Sequence, residues 1–125
     1  MDLSLPQALK LFNQKNKTIV FNSIKHEERG SLDYYQVTED VNLVHQIVNA
    51  LYQMKIQSVI VEGGAKLLQS FIDVGLWDEA RVIRNEKLVI KNGLAAPQLP
   101  ALTPANKISI SGDMISFFIN QNDAI

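Results

Sequence analysis

The chain has 125 residues, about one domain's worth, and at that length neither a metal nor a disulfide is needed to hold a core. Apolar residues make up 46% and charged residues 20%, with 12 Lys and Arg against 13 Asp and Glu, which excludes a broad basic footprint for nucleic acid or an anionic membrane. With no cysteine, disulfides, thiolate nucleophiles and Cys-ligated zinc or iron–sulfur sites are excluded, and a reducing cytoplasm is the expected location.

No apolar run approaches the ~20 residues that span a bilayer. The start, Met1-Asp2-Leu3-Ser4-Leu5-Pro6, lacks the basic region and apolar stretch of a signal peptide. Leu3 to Phe12 reads as a short apolar turn or helix opened by Pro6. Thr18 to Phe21, β-branched and aromatic, predicts a buried strand. His26 to Gly30 reads as a polar loop and Leu32 to Val37 as a second extended segment, with Tyr34 and Tyr35 on opposite faces. Asn42 to Met54 has helical period, with Val44, Ile47, Val48 and Leu51 on one face and Asp40 or Asn42 as cap. Ser58 to Val61 is a continuous apolar run and predicts a core strand.

A second amphipathic helix is predicted over Ala65 to Val74, stopped by Gly75. Ala80 to Ile83 and Leu88 to Ile90 are strand-like, as one strand or two. Asn92 to Pro104 carries Gly93, Pro97, Pro100 and Pro104 and reads as loop. Lys107 to Ser111 and Ile115 to Ile119, joined at Gly112-Asp113, predict a terminal hairpin, and Asn120 to Ile125 a frayed tail. The expected architecture is α/β: three layers, α/β/α, around one mixed sheet that ends in an antiparallel hairpin, residues 1–125 forming a single domain.

The most informative stretch is Val59-Ile60-Val61-Glu62-Gly63-Gly64-Ala65-Lys66-Leu67-Leu68. A strand running into two glycines and then a helix leaves free N–H groups at the positive end of the helix dipole, which suits a phosphate. Glycines let that phosphate approach the backbone. A tight strand-to-helix turn with no ligand accounts for the same residues. Glu62, at the carboxyl end of the predicted strand, is placed either to accept hydrogen bonds from sugar hydroxyls or an amine, or to cap the turn. Lys66 adds positive charge beside a phosphate, or is simply solvated.

Val61-Glu62-Gly63-Gly64-Ala65-Lys66-Leu67, then Ser70-Phe71-Ile72, then Gly75-Leu76-Trp77-Asp78-Glu79, resembles the reductase domain of the bifunctional riboflavin-biosynthesis deaminase-reductases of the RibD type. The resemblance implies a dihydrofolate-reductase-like fold. It also implies NADPH-dependent reduction of the ribosyl group of 5-amino-6-(5-phosphoribosylamino)uracil to ribityl. Carried to matching positions, it makes Glu62 a substrate contact and Gly64, Ala65, Lys66, Leu67, Leu68, Gln69 and Ser70 the contacts of the NADPH diphosphate. No residue stands out as a general acid or base. The resemblance runs from about Leu3 to Phe118 and covers only the later part of that domain. The chain is therefore expected to lack the earlier part and the deaminase, whose zinc signature needs cysteines, and to bind cofactor weakly with little turnover.

Two competing readings remain open: a non-catalytic module that self-associates through exposed sheet edge, and a reductase of the same fold for another pteridine-type substrate. A homo-oligomer is expected, with a phosphoribosyl-pyrimidine substrate and neither nucleic acid nor membrane as partner. His26 and His45 have no ligand spacing, and no metal is expected. Arg81, Arg84, Lys87 and Lys91 form a modest basic cluster, read as a solvated face.

Overall fold

In the computed structural model the described residues are 5, 6, 8–13 and 15–121. Leu3, Ser4 and residues 122–125 of the expected tail lie outside them. The chain divides into two compact units, one running to Ser58 and the other beginning at Val59.

In the first unit the expected opening turn is a single 3-10 turn, Lys10–Phe12. Strands β1 (Thr18–Asn22), β2 (Glu27–Arg29) and β3 (Leu32–Gln36) then form a sheet in the order β1-β3-β2. β1 runs parallel to β3, with Thr18 opposite Leu32 and Asn22 opposite Gln36. β2 and β3 make an antiparallel hairpin, with Arg29 opposite Leu32 across Gly30-Ser31. The period of two in β3 buries Leu32 and Tyr34; Val37, past the strand's end and out of that phase, is buried as well. Tyr34 is inside, and Tyr35 packs against Phe21 and His26.

The expected polar loop over His26 to Gly30 is thus in large part strand. Its charges suit an edge: Glu27 pairs with Lys25 at 2.9 Å and with Arg29 at 2.6 Å along one side of β2. Helix α1 (Leu43–Gln53) follows, with Val44 and Ala50 buried. Asn42 caps it, accepting from Val44 N–H at 2.9 Å.

The second unit holds α2 (Ala65–Asp73), β4 (Glu79–Asn85), β5 (Asn106–Ile110) and β6 (Asp113–Ile119). Its sheet is antiparallel throughout, in the order β4-β6-β5. The predicted hairpin is present, with its turn one residue earlier than expected. Ile110 pairs with Asp113, and the two loop residues, Ser111 (φ 51°) and Gly112 (φ 92°), both take positive φ, as a primed turn requires. Gly75 (φ 71°) ends α2 as expected.

Four further expectations change. Instead of one mixed sheet there are two sheets of three strands, one mixed and one antiparallel. Ser58 to Val61 is not a core strand: it joins no ladder among the described residues, and Ile60 is 84% exposed. An apolar run becomes a core strand only where it finds ladder partners, and the described ladders join β1 and β2 to β3 and β4 and β5 to β6. Leu88 to Ile90 is likewise unpaired and exposed, because β4 ends where Asn85 turns its side chain back to accept from the N–H groups of Lys87 and Leu88 at 2.9 Å. Asn120 is not frayed: it is buried, and its N–H donates to the Asp78 carbonyl at 2.8 Å.

Candidate functional site

The second unit carries the Gly-Gly turn. Gly63 (φ 71°) and Gly64 (φ 73°) both lie in the left-handed region, where a Cβ is strained. A Cβ built on either meets nothing within 4 Å, so the glycines answer to backbone conformation and leave open space beside them. Gly64 is the N-cap of α2 and brings no side chain to cap it. Its carbonyl accepts the first helical bond, from Leu68 N–H at 3.1 Å.

That leaves the N–H groups of Ala65, Lys66 and Leu67 without partners among the described residues. The contrast with α1 is direct. There Asn42 caps the first turn, and Gln46 fastens the preceding loop through the backbone of Thr38 and Val41 at 2.8 to 2.9 Å. One helix start has a side-chain cap and the other has none.

The residues expected at the cofactor do not contribute alike. Ala65, Lys66 and Leu67 offer free N–H groups, and Lys66 adds an exposed ammonium. Leu68 has already given its N–H to Gly64. Ser70 donates its hydroxyl to the Lys66 carbonyl at 2.9 Å. Gln69 spends its amide on Asp73 at 2.7 Å and on the backbone of Gln98. Glu62 is exposed and unpartnered among the described residues, so its carboxylate has full acceptor capacity. It stands at the end of an unpaired extended stretch rather than of a core strand.

The first unit has an open depression of about 370 Å³, lined by Ser23 and residues 37–43. It lies just past Asn22 and Gln36, the ends of the parallel pair β1 and β3, the edge where open α/β sheets hold ligands. Asp40 in its wall is held below the ordinary carboxylate value by the Thr38 hydroxyl first and by its own backbone N–H. The depression escapes sequence reading because β1 and β3 are not recognisable as parallel neighbours without their register.

Among the described residues no cluster of His, Asp or Glu suits a metal. His26 lies edge-on to Tyr35 with ring centroids 5.4 Å apart, and His45 is exposed on α1. The basic cluster is divided: Arg81 and Arg84 project from opposite faces of β4, and Arg81 sits over the Phe117 ring at 5.6 Å. Among the described residues no helix is long and apolar enough to cross a membrane.

Comparison with known families gives a match to the RibD C-terminal domain over residues 1–90, which includes the whole Gly-Gly turn. No curated protein matches the chain. The chain belongs to the RibD C-terminal domain family, a reductase-type family of riboflavin biosynthesis.

Proposed function

We propose that this chain serves NADPH-dependent reduction of the ribosyl group of 5-amino-6-(5-phosphoribosylamino)uracil to ribityl, within a dihydrofolate-reductase-like fold. The observation that carries the reading is the uncapped start of α2, where two glycines of positive φ leave three N–H groups open. The diphosphate of the cofactor takes those N–H groups, with the helix dipole and the Lys66 ammonium favouring its charge. NADPH, when bound, supplies the hydride. The chain's own part is to bind and orient: Glu62 accepts hydrogen bonds from hydroxyls of the substrate's sugar, and Ala65, Lys66 and Leu67 fix the phosphates. No side chain is assigned to proton transfer.

The test is a titration with NADPH followed by Trp77 and nicotinamide fluorescence, beside Gly64→Asp. That variant sets a carboxylate where the diphosphate belongs. Saturable binding lost in the variant supports the reading. A folded chain that does not bind NADPH overturns it for this chain.

A second reading has an observation of its own. Ile83, Ile115 and Ile108 lie side by side across β4, β6 and β5, and on the same face Ile110 and Ile119 are half exposed. An apolar strip of that kind favours self-association. Sedimentation over a range of concentrations decides it: a monomer throughout rules it out.

A further inference from the structure

Residues 89–104 run from the end of the β4 region to β5, and lie almost wholly beyond the span matched to the family. Among the described residues they make hydrogen bonds at one place only, Gln98. Gln98 N–H donates to Gln69 Oε1 at 2.8 Å, and Gln69 Nε2 donates to the Gln98 carbonyl at 3.3 Å. One side-chain amide therefore holds both backbone groups of one residue, as a neighbouring strand would. Asp73 accepts from the same Nε2 at 2.7 Å and fixes which way the amide faces.

The fastening sits where the exposure changes. Residues 88–96 are exposed, whereas Pro97, Leu99, Leu102 and Pro104 are half-buried. Pro97, Pro100 and Pro104 bring no N–H and hold φ near −65°, so this stretch stays extended without internal hydrogen bonds. Gln69 lies three and four residues past Lys66 and Ala65, on the face of α2 that begins at the open N–H groups.

We propose that residues 89–104 form a strap that opens and closes beside the first turns of α2, with the Gln69 amide as its latch and Asp73 as the residue that aims it. This goes beyond the reductase reading and stands whether or not NADPH occupies the helix start.

The experiment is NMR on the intact chain without ligand, comparing wild type, Gln69→Leu and Gln98→Ala. Two readouts are followed: exchange of the Gln98 amide, and ¹⁵N order parameters across 97–104. In wild type the Gln98 amide is protected. Gln69→Leu speeds its exchange about tenfold or more, since both bonds are lost. It also takes the strap's order parameters from about 0.85 to below about 0.6, with β4, β5 and β6 unchanged. Gln98→Ala keeps both backbone groups and behaves as wild type. Three results overturn the latch: free-chain exchange of Gln98 in wild type, protection that survives Gln69→Leu, or loosening in Gln69→Leu that spreads to the sheet. Opening by Gln98→Ala overturns it too, because the side chain would then be the fastening.

Discussion

Asn22 holds both backbone groups of Lys25: its Oδ1 accepts from Lys25 N–H at 2.8 Å, and its Nδ2 donates to the Lys25 carbonyl at 3.0 Å. The same side chain takes Ile24 N–H at 2.9 Å and reaches the carbonyls of Val20 and Tyr35 at 3.2 and 3.4 Å. It is fully buried at the end of β1 and turns the chain toward β2. Asn22→Ala strands several of these groups away from water, and we expect a loss of about 2–4 kcal/mol. Asn22→Asp keeps the acceptors and loses the donors, so it falls between. Urea unfolding of the three proteins checks the order. A wild-type midpoint for Asn22→Ala would mean that the turn does not depend on this side chain.

The two helices end alike. After α1, Lys55 N–H donates to the Tyr52 carbonyl at 2.9 Å and Ile56 N–H to that of Leu51 at 3.0 Å. After α2, Gly75 and Leu76 make the corresponding bonds to Ile72 and Phe71 at 3.0 and 3.2 Å. The pivot takes positive φ in both, 60° at Lys55 and 71° at Gly75. Only the second is glycine, so the first carries the Cβ strain. Lys55→Gly should stabilise the protein by about 1 kcal/mol, and Gly75→Ala should destabilise it by a similar amount. Thermal melts of the pair give opposite signs if the pivots are equivalent.

Gly64→Ala separates strain from site chemistry. At φ 73°, with open space around the new Cβ, the methyl costs about 1–2 kcal/mol of stability and blocks nothing. Gly64→Asp adds a charge at the same strain. We expect NADPH affinity within about threefold of wild type for Gly64→Ala, and at least about tenfold weaker for Gly64→Asp, since a like charge then meets the diphosphate. Equal losses in both would trace the effect to backbone conformation alone.

Local signals were legible wherever the chemistry is local. Asn42 before Leu43, Gly75 after α2, and the alternation of Lys107 to Ser111 each specify a cap, a stop or a strand with no help from elsewhere in the chain. Ser58 to Val61 misleads because its apolar run states only that a strand is possible, whereas pairing depends on a partner. His26 to Gly30 misleads in the opposite way: Glu27, Glu28 and Arg29 look like loop, yet an edge strand tolerates charge. At the site, the Gly-Gly turn was visible as a turn. What could not be read was that Gln69 is committed to Gln98, a residue 29 positions away.

Besides Asp40, the carboxyls held low among the described residues are Glu27 and Asp33 of the β2 hairpin. Glu27 is held below its ordinary value of 4.5 by the Lys25 ammonium first and the Arg29 guanidinium second. Asp33 is held below 3.8, chiefly by its hydrogen bond from Lys17. Both carboxyls titrate lower in the folded chain than in the unfolded one. Their contribution is therefore complete above the unfolded values and is lost as the pH falls through the folded ones. We expect Glu27→Gln to lower the melting temperature slightly at neutral pH and to shrink the drop between about pH 5 and pH 3. Added salt should narrow the difference, because these pairs are exposed to solvent. A wild-type acid limb in Glu27→Gln would place the sensitivity elsewhere.

Asn120 links three parts of the second unit through one side chain and one N–H. Its Nδ2 donates to the Trp77 carbonyl at 2.7 Å and to the Gly75 carbonyl at 3.0 Å, and its N–H reaches Asp78. The first residue after β6 thereby fixes the segment that leads from α2 into β4. Asn120→Leu keeps the volume and leaves the carbonyls of Gly75 and Trp77 short of a donor, which costs about 1–3 kcal/mol. Trp77, the single tryptophan, reports on the change. We expect a shifted emission maximum and easier collisional quenching in Asn120→Leu, with the far-ultraviolet spectrum unchanged. Asn120→Asp removes the donor and keeps the shape, so it should move Trp77 in the same direction. If Leu shifts the emission and Asp does not, packing at this position, rather than the amide's hydrogen bonds, sets the conformation of the segment.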